Sequence, residues 1–278
     1  MEYKMKKIII NETEFSYNEE LDYLKDGHIY CKKCHERIDS EPLDFSDKKF
    51  IFKVACKCVR DEEERRKKIE EQQKILRLKE ECFITIKNLM GYHFNDKDPN
   101  TKEYQLSRNY VKKFELMKKE NIGLLFYGPV GSGKTTLAAC IANAIIEKYK
   151  IRVKFRNIPQ IINDIEKAGF NIDKNEYINS LTNVPLLVLD DFGIERNTEY
   201  TKELLYQIIN ARYESKKPTI ISTNISIDEI TSKNIEINLK RIYSRIMEMC
   251  TPVKVISNDK RLKENLRKTE IVKKELFI

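Results

Sequence analysis

The chain has 278 residues, 41% of them hydrophobic, which is enough for one full α/β domain with a packed core and a smaller companion. Its 52 Lys and Arg against 44 Asp and Glu leave a formal charge of +8, which permits contact with nucleic acid or an acidic protein without demanding either. No run approaches the roughly 20 apolar residues of a membrane helix, and the acidic, aromatic text after MEYKMKKIII excludes a signal peptide, so a cytoplasmic protein is expected.

Residues 1–60 form one compositional block, rich in aromatics and cysteine, with short strand-like runs such as KFIFKVAC. Thiols stay reduced in a cytoplasmic protein, so clustered cysteines read as metal ligands before disulfides. Cys31-x-x-Cys34 followed by Cys56-x-Cys58 supplies four thiolates, the ligand set of a closed tetrahedral Zn²⁺ site. His35 stands as an alternative ligand, because a single residue between Cys56 and Cys58 is unusual spacing. With four protein ligands the metal is structural, and in so short a block it supplies much of the folding energy.

Residues 61–120 read as a helical linker. DEEERRKKIEEQQKILRLKEECFITIKNLM has no Gly or Pro and is dense in helix formers. Ile69, Leu76, Phe83 and Met90 recur every seven residues, but Gln72, Gln73 and Lys79 deny the second position of a coiled-coil heptad, so one linking helix is predicted. A loop around Asn95 to Asn100, containing Pro99, leads to a second helix over Lys102 to Lys119.

From residue 121 to 258 apolar runs alternate with amphipathic helices: GLLFYG, IRVKFRN, PLLVLDD, PTIISTN and PVKVIS. Strands this apolar are buried on both faces, which predicts a parallel sheet covered by helices. The stretch Gly128-Pro129-Val130-Gly131-Ser132-Gly133-Lys134-Thr135, followed by Thr136, fits the G-x-x-x-x-G-K-[ST] phosphate loop. Its glycines let backbone N–H groups turn toward a polyphosphate, and the following helix aims its positive end at the same anion. Lys134 is assigned to the β- and γ-phosphates of ATP and the Thr135 hydroxyl to Mg²⁺. Two carboxylates end the run LLVLDD: Asp190 is expected to hold Mg²⁺ and Asp191 to polarise the attacking water. Aspartate reaches one methylene less far than glutamate at that position, so slow hydrolysis is expected. Asn224, ending the run TIISTN, is placed to meet the γ-phosphate or the water from the other side.

The order GPVGSGKT, LLVLDD, STN and then NLKRIYSRIMEMC resembles that of AAA+ ATPases. The wording over Asn109 to Ile256 is similar to the DnaC/DnaI helicase-loader and IstB-like branch, including LLVLDDFGIERNTEYTKELLYQIINARYESKKPTIISTN and RIYSRIMEMCTPVKV. The resemblance implies a RecA-like core with a five-stranded parallel sheet and an ATPase that oligomerises on ATP. It implies partners in a hexameric replicative helicase and single-stranded DNA. Arg245 matches the arginine finger, which reaches a neighbour's γ-phosphate, and Arg241 lies one turn earlier on the same face. A basic tail, 259–278, stands where full AAA+ proteins carry a helical lid, as in the loaders. The resemblance also implies that the cysteine block grips the helicase. Two alternatives stand beside the loader: an IstB-like transposition ATPase, and an adaptor latched by ATP with negligible turnover.

Overall fold

Neighbouring strand residues of the larger unit are buried on opposite sides of one sheet. Leu124, Phe126, Val188 and Ile220 join one apolar cluster, while Leu125, Leu187, Leu189 and Ile221 join another. A pleated strand sends successive side chains to opposite faces, so runs apolar at every position require cover on both sides. The computed structural model describes residues 5–10, 13–45, 48–95, 100–168, 173–193, 198–232, 234–256 and 260–276. The chain divides into two units, Met1–Gln73 and Lys74–Ile278.

In the first unit, β1 (Met5–Ile10) pairs antiparallel with β2 (Thr13–Asn18), β3 (Asp22–Lys25) with β4 (His28–Cys31), and β5 (Leu43–Phe45) with β6 (Lys48–Phe50). The β3–β4 hairpin turns on Asp26 and Gly27, at φ 50° and 79°, the left-handed pair that a tight hairpin needs. The core here is small: Ile10, Phe15, Tyr17, Ile29, Ile38 and Ile51 with Cys31 and Cys56. Asp39 is buried within it. Burial alone would raise its carboxyl, yet hydrogen bonds from His28, the Ile29 N–H and Arg37 hold it below the usual range.

Helix α1 (Lys57–Cys82) begins before Asp61 and stops at Cys82, short of the expected end at Met90. Its exposed charges pair along the helix, as Arg65 with Glu62 and Lys68 with Glu64, each pair contributing about 0.2–0.5 kcal/mol. The seven-residue seam is not its packed face: Ile69 and Leu76 are exposed, whereas Ile75, Leu78 and Cys82 meet the core. The helix ends because Cys82 and Phe83 are drawn into the interior, with the Phe83 ring 5.4 Å from that of Phe155. Buried Arg156 then takes the Cys82 carbonyl at 2.7 Å. A 3₁₀ turn, Lys87–Gly91, follows. The Pro99 loop lies outside the described residues. The helix expected over Lys102 to Lys119 is two: α2 (Lys102–Lys112) and α3 (Phe114–Lys119). They break at Lys113 because Phe114 turns fully inward against the Tyr110 and Tyr149 rings.

The second unit then runs β7 (Gly123–Tyr127), α4 (Lys134–Tyr149), β8 (Val153–Asn157), α5 (Ile158–Ala168), α6 (Lys174–Thr182), β9 (Leu186–Phe192), α7 (Glu199–Ser215), β10 (Thr219–Thr223), α8 (Ile227–Ile230), α9 (Ile237–Met249), β11 (Cys250–Lys254) and α10 (Lys260–Leu276). The five strands form one parallel sheet in the order β11-β7-β10-β9-β8, as the apolar runs predict. Helices α2, α3 and α4 cover one face, and α5, α6, α7 and α9 the other. Each side chain fully buried between them contributes about 1.5–3 kcal/mol. Arg212, with no exposed surface, stitches the lower edge by donating to the Thr182 and Val184 carbonyls at 2.6 and 2.8 Å and to Thr219 Oγ1 at 3.0 Å.

Candidate functional site

The strand order settles which chain ends converge. Strand β10 lies between β7 and β9, so Asn224, just past its end, sits between the loop after β7 and the acidic end of β9. Ligand groups gather at this carboxyl edge of a parallel sheet.

The loop after β7 is shaped by its glycines. Gly128 has φ 146°, and a Cβ there would stand 2.4 Å from the Val255 carbonyl oxygen. Gly133 enters α4 at φ 98°. No acidic side chain occupies the first turn of α4, so its positive end is left for an anion. The buried Lys134 ammonium reaches the Gly128 and Pro129 carbonyls, each at 2.8 Å, and Asn224 Oδ1 at 2.7 Å. These oxygens occupy the ammonium as phosphate oxygens would. Ser132 Oγ is buried and has no hydrogen-bond partner among the described residues, which marks a polar group awaiting a ligand. The loop residues present therefore fit a polyphosphate.

Thr135 Oγ1 donates to Asp190 Oδ1 at 3.1 Å, and Ser222 Oγ donates to the same oxygen. Asp190 is nearly sealed from solvent, and that burial is the main reason its carboxyl rises to about 6 from an ordinary 3.8. A carboxylate and a hydroxyl so paired are the oxygen ligands that Mg²⁺ prefers. The next residue departs from strand geometry. Between the pairs Ile221–Leu189 and Thr223–Phe192, Asp190 and Asp191 together face Ser222, so β9 carries a bulge. Asp191 sits there at φ 55°, a left-handed conformation that a non-glycine residue adopts at a cost of about 1–3 kcal/mol. Ser222 holds the bulge by accepting the Asp191 N–H at 3.1 Å. Asn157, ending β8, donates to Asp191 Oδ2 at 2.8 Å. Sequence reasoning missed Asn157 and Ser222. The signal available was a polar residue at or near the carboxyl end of each strand, Asn157 in β8 and Ser222 in β10.

Arg241 and Arg245 lie elsewhere, on α9. Arg245 stacks its guanidinium on the rings of Tyr206 and Tyr213 of α7, 5.0 and 5.5 Å from their centroids. Arg241 is exposed and lines a cleft of about 260 Å³ with Glu199, Lys202, Glu203, Tyr206 and Asn238. Neither has a hydrogen bond to the phosphate loop among those described.

In the first unit the sulfurs of Cys31, Cys34, Cys56 and Cys58 all lie within 4.8 Å of one another. Cys31 ends β4, Cys56 precedes α1 and Cys58 is in its first turn, so the one-residue spacing works because the chain turns into a helix there. Sulfurs around a tetrahedral Zn²⁺ stand about 3.8 Å apart, and the Cys31–Cys58 and Cys56–Cys58 separations are 3.5 and 3.2 Å. The cluster fits a zinc site. His35 is turned away, with Nδ1 3.2 Å from the Tyr23 hydroxyl, so four sulfurs complete the set without it. Backbone N–H groups of Cys58 and Glu36 pull the Cys34 thiol down to about 6, whereas the neighbouring Cys56 sulfur chiefly pushes Cys58 up to about 12. Packed thiols resist collective ionisation, and a dication at their centre removes that resistance.

Fold and loop together define a P-loop nucleotide-binding protein of the AAA+ kind. The chain belongs to the IstB-like ATP binding protein family, whose pattern matches residues 43–268. It is 28% identical over 276 residues to the uncharacterized protein YqaM of Bacillus subtilis (strain 168), covering 92% of this chain and 80% of that one. It is 25% identical over 210 residues to the replicative helicase loader DnaI of the same strain, covering 70% of this chain and 66% of the loader. Against the replicative helicase loader DnaC of Escherichia coli (strain K12) it is 34% identical over 128 residues, 45% of this chain and 50% of that one. The chain thus spans between half and two thirds of these loaders' own length. The crystal structure of the DnaC helicase loader superposes with a TM-score of 0.52 at 31% identity, covering 61% of this chain and 99% of that one. Among the described residues no helix is long and apolar enough to cross a membrane.

Proposed function

We propose that this protein is an ATP-switched loader of a hexameric replicative helicase onto single-stranded DNA in the cytoplasm. The observation that carries this reading over other P-loop functions is a thiol-clustered unit preceding an ATP core that resembles DnaI and DnaC. The thiol-bearing unit, residues 1–60 above all, is the helicase-facing part, and Leu43, Phe50, Phe52 and Val54 offer exposed apolar contact there. Zn²⁺ holds this unit together. Residues 61–120 serve as its helical link to the ATPase core, 121–258, which the basic tail follows.

In the core, residues Gly128 to Thr136 bind ATP, with Lys134 on the β- and γ-phosphates. Thr135 and Asp190 hold Mg²⁺, which when bound neutralises phosphate charge as the γ-phosphoryl leaves. Asp191 orients the attacking water and accepts its proton, and Asn224 steadies the γ-phosphate. Arg245, with Arg241 beside it, reaches into a neighbouring subunit's site. Its described bonds and stacking go to Arg241, Tyr206 and Tyr213 rather than to its own phosphate loop, which supports this, because an arginine that worked within its subunit would be engaged there. Hydrolysis is weak because Asp191 is short and is engaged by Asn157.

Mixing the protein with the hexameric helicase of the same genome, with and without ATP, tests this by size exclusion with light scattering. A complex that survives deletion of the core and is lost on deletion of residues 1–60 supports the loader. The family description favours one other reading, an IstB-like partner of a transposase. Absence of a helicase complex together with binding to a transposase would replace the loader with it.

A further inference from the structure

The aromatic cradle of Arg245 has no role in the reading above. Tyr206 and Tyr213 both come from α7, and their rings lie 5.0 and 5.5 Å from the Arg245 guanidinium carbon. Tyr213 is itself fixed, since its hydroxyl donates to Glu248 Oε1 at 2.9 Å. The guanidinium donates from Nη2 to the Tyr206 hydroxyl and from Nη1 to the Arg241 carbonyl, both at 3.3 Å. Nε is buried without an acceptor among the described residues. Other fixed arginines of the chain meet acceptors: Arg37 and Arg60 pair with Asp39 and Glu36, and buried Arg212 bonds from Nε and Nη1 to Thr219 Oγ1 and the Thr182 and Val184 carbonyls. Arg245 forms no ion pair among the described residues and leaves Nε without an acceptor, while ring faces hold its plane. Stacking suits this, because a guanidinium is weakly hydrated and lies flat on an aromatic ring with its N–H groups left at the edge. Each terminal nitrogen carries a second N–H beyond the bond described.

We infer that Tyr206 and Tyr213 are positioning residues that hold the Arg245 guanidinium in place for the phosphate of an adjoining subunit. This rests on the proposal that Arg245 acts between subunits, and complementation separates the two. Lys134→Ala subunits offer an arginine but bind no ATP, and Arg245→Ala subunits bind ATP but offer no arginine. Mixed at concentrations that assemble the protein, they recover ATP hydrolysis if Arg245 acts between subunits. No recovery overturns that premise and the cradle with it. Tyr206→Leu placed in the Lys134→Ala subunit is expected to cut the recovered kcat about tenfold with KM for ATP unchanged. The same change placed in the Arg245→Ala subunit is expected to have no effect. Tyr206→Phe in the donor, which keeps the ring, is expected to restore turnover to within about twofold. Recovery undiminished by Tyr206→Leu in the donor, or equal loss from either subunit, overturns the cradle and leaves the premise standing. Unchanged ATP affinity of the Tyr206→Leu single variant checks that its core is folded.

Discussion

The side-chain amide of Asn157, closing β8, donates a 2.8 Å hydrogen bond to the carboxylate of Asp191, held at the bulge of β9. The bond occupies one oxygen of the group assigned to the water and so competes with that water for it. Removing it with Asn157→Ala is expected to raise basal ATP turnover about fivefold, the equivalent of ~1 kcal/mol, with nucleotide affinity unchanged. Single-turnover measurement with excess protein checks this. A fall in turnover would mean instead that Asn157 aims Asp191 productively.

Lys134 ties together two loop carbonyls and Asn224. Lys134→Ala is expected to weaken ATP binding by more than about a hundredfold, because a buried charge-assisted contact to phosphate is lost. Its melting temperature without nucleotide should stay within a few degrees of the parent. Titration with a fluorescent ATP analogue checks the first, and calorimetry the second. ATP affinity kept by this variant would remove the phosphate-loop assignment.

Asp190 supplies a pH dependence with a definite sign. Its carboxyl is raised to about 6, chiefly by burial, so the folded state binds a proton more readily than the unfolded one. The group therefore destabilises the fold progressively as pH rises from its ordinary value through 6, and the cost is complete above that. Asp190→Asn is expected to raise the melting temperature of the nucleotide-free protein by several degrees at pH 8 and hardly at all at pH 4. The same carboxylate must be ionised to hold Mg²⁺. Mg²⁺-dependent strengthening of ATP binding should decline as pH falls through 6, by up to about tenfold per unit, and be absent in the variant. Isothermal titration across pH 5 to 8 tests both.

The cysteine cluster predicts one Zn²⁺ per chain by elemental analysis of protein purified without chelator. Cys31→Ser or Cys56→Ser should lose the metal and expose the first unit to proteolysis, since its core is too small to hold alone. ATP affinity should be unchanged. Full metal content in both variants would contradict the ligand set.

Much of this was legible in the sequence because its signals are local. Five apolar runs gave the five strands, since a strand buried on both faces has few other readings. The phosphate loop is a contiguous motif, and the two residues singled out for Mg²⁺, Thr135 and Asp190, lie within a hydrogen bond of each other. What escaped was set by tertiary contacts. Helix α1 ends at Cys82 because Phe83 is claimed by Phe155 across the sheet edge, a pairing invisible along the chain. The Asp191 bulge arises from registry between β9 and β10, and Asn157 reaches it from a strand over 30 residues away. The seven-residue spacing of Ile69 and Leu76 could not say which face of α1 packs, because spacing alone does not tell a buried stripe from an exposed one.

The most direct test of the account is helicase loading itself. Closed circular single-stranded DNA coated with single-strand binding protein would be incubated with the cognate hexameric helicase and ATP, and helicase retained on the circles counted after gel filtration. The account predicts retention when this protein and ATP are both present, and none with Lys134→Ala. Equal retention without the protein, or none with it although it binds the helicase, would contradict the loader.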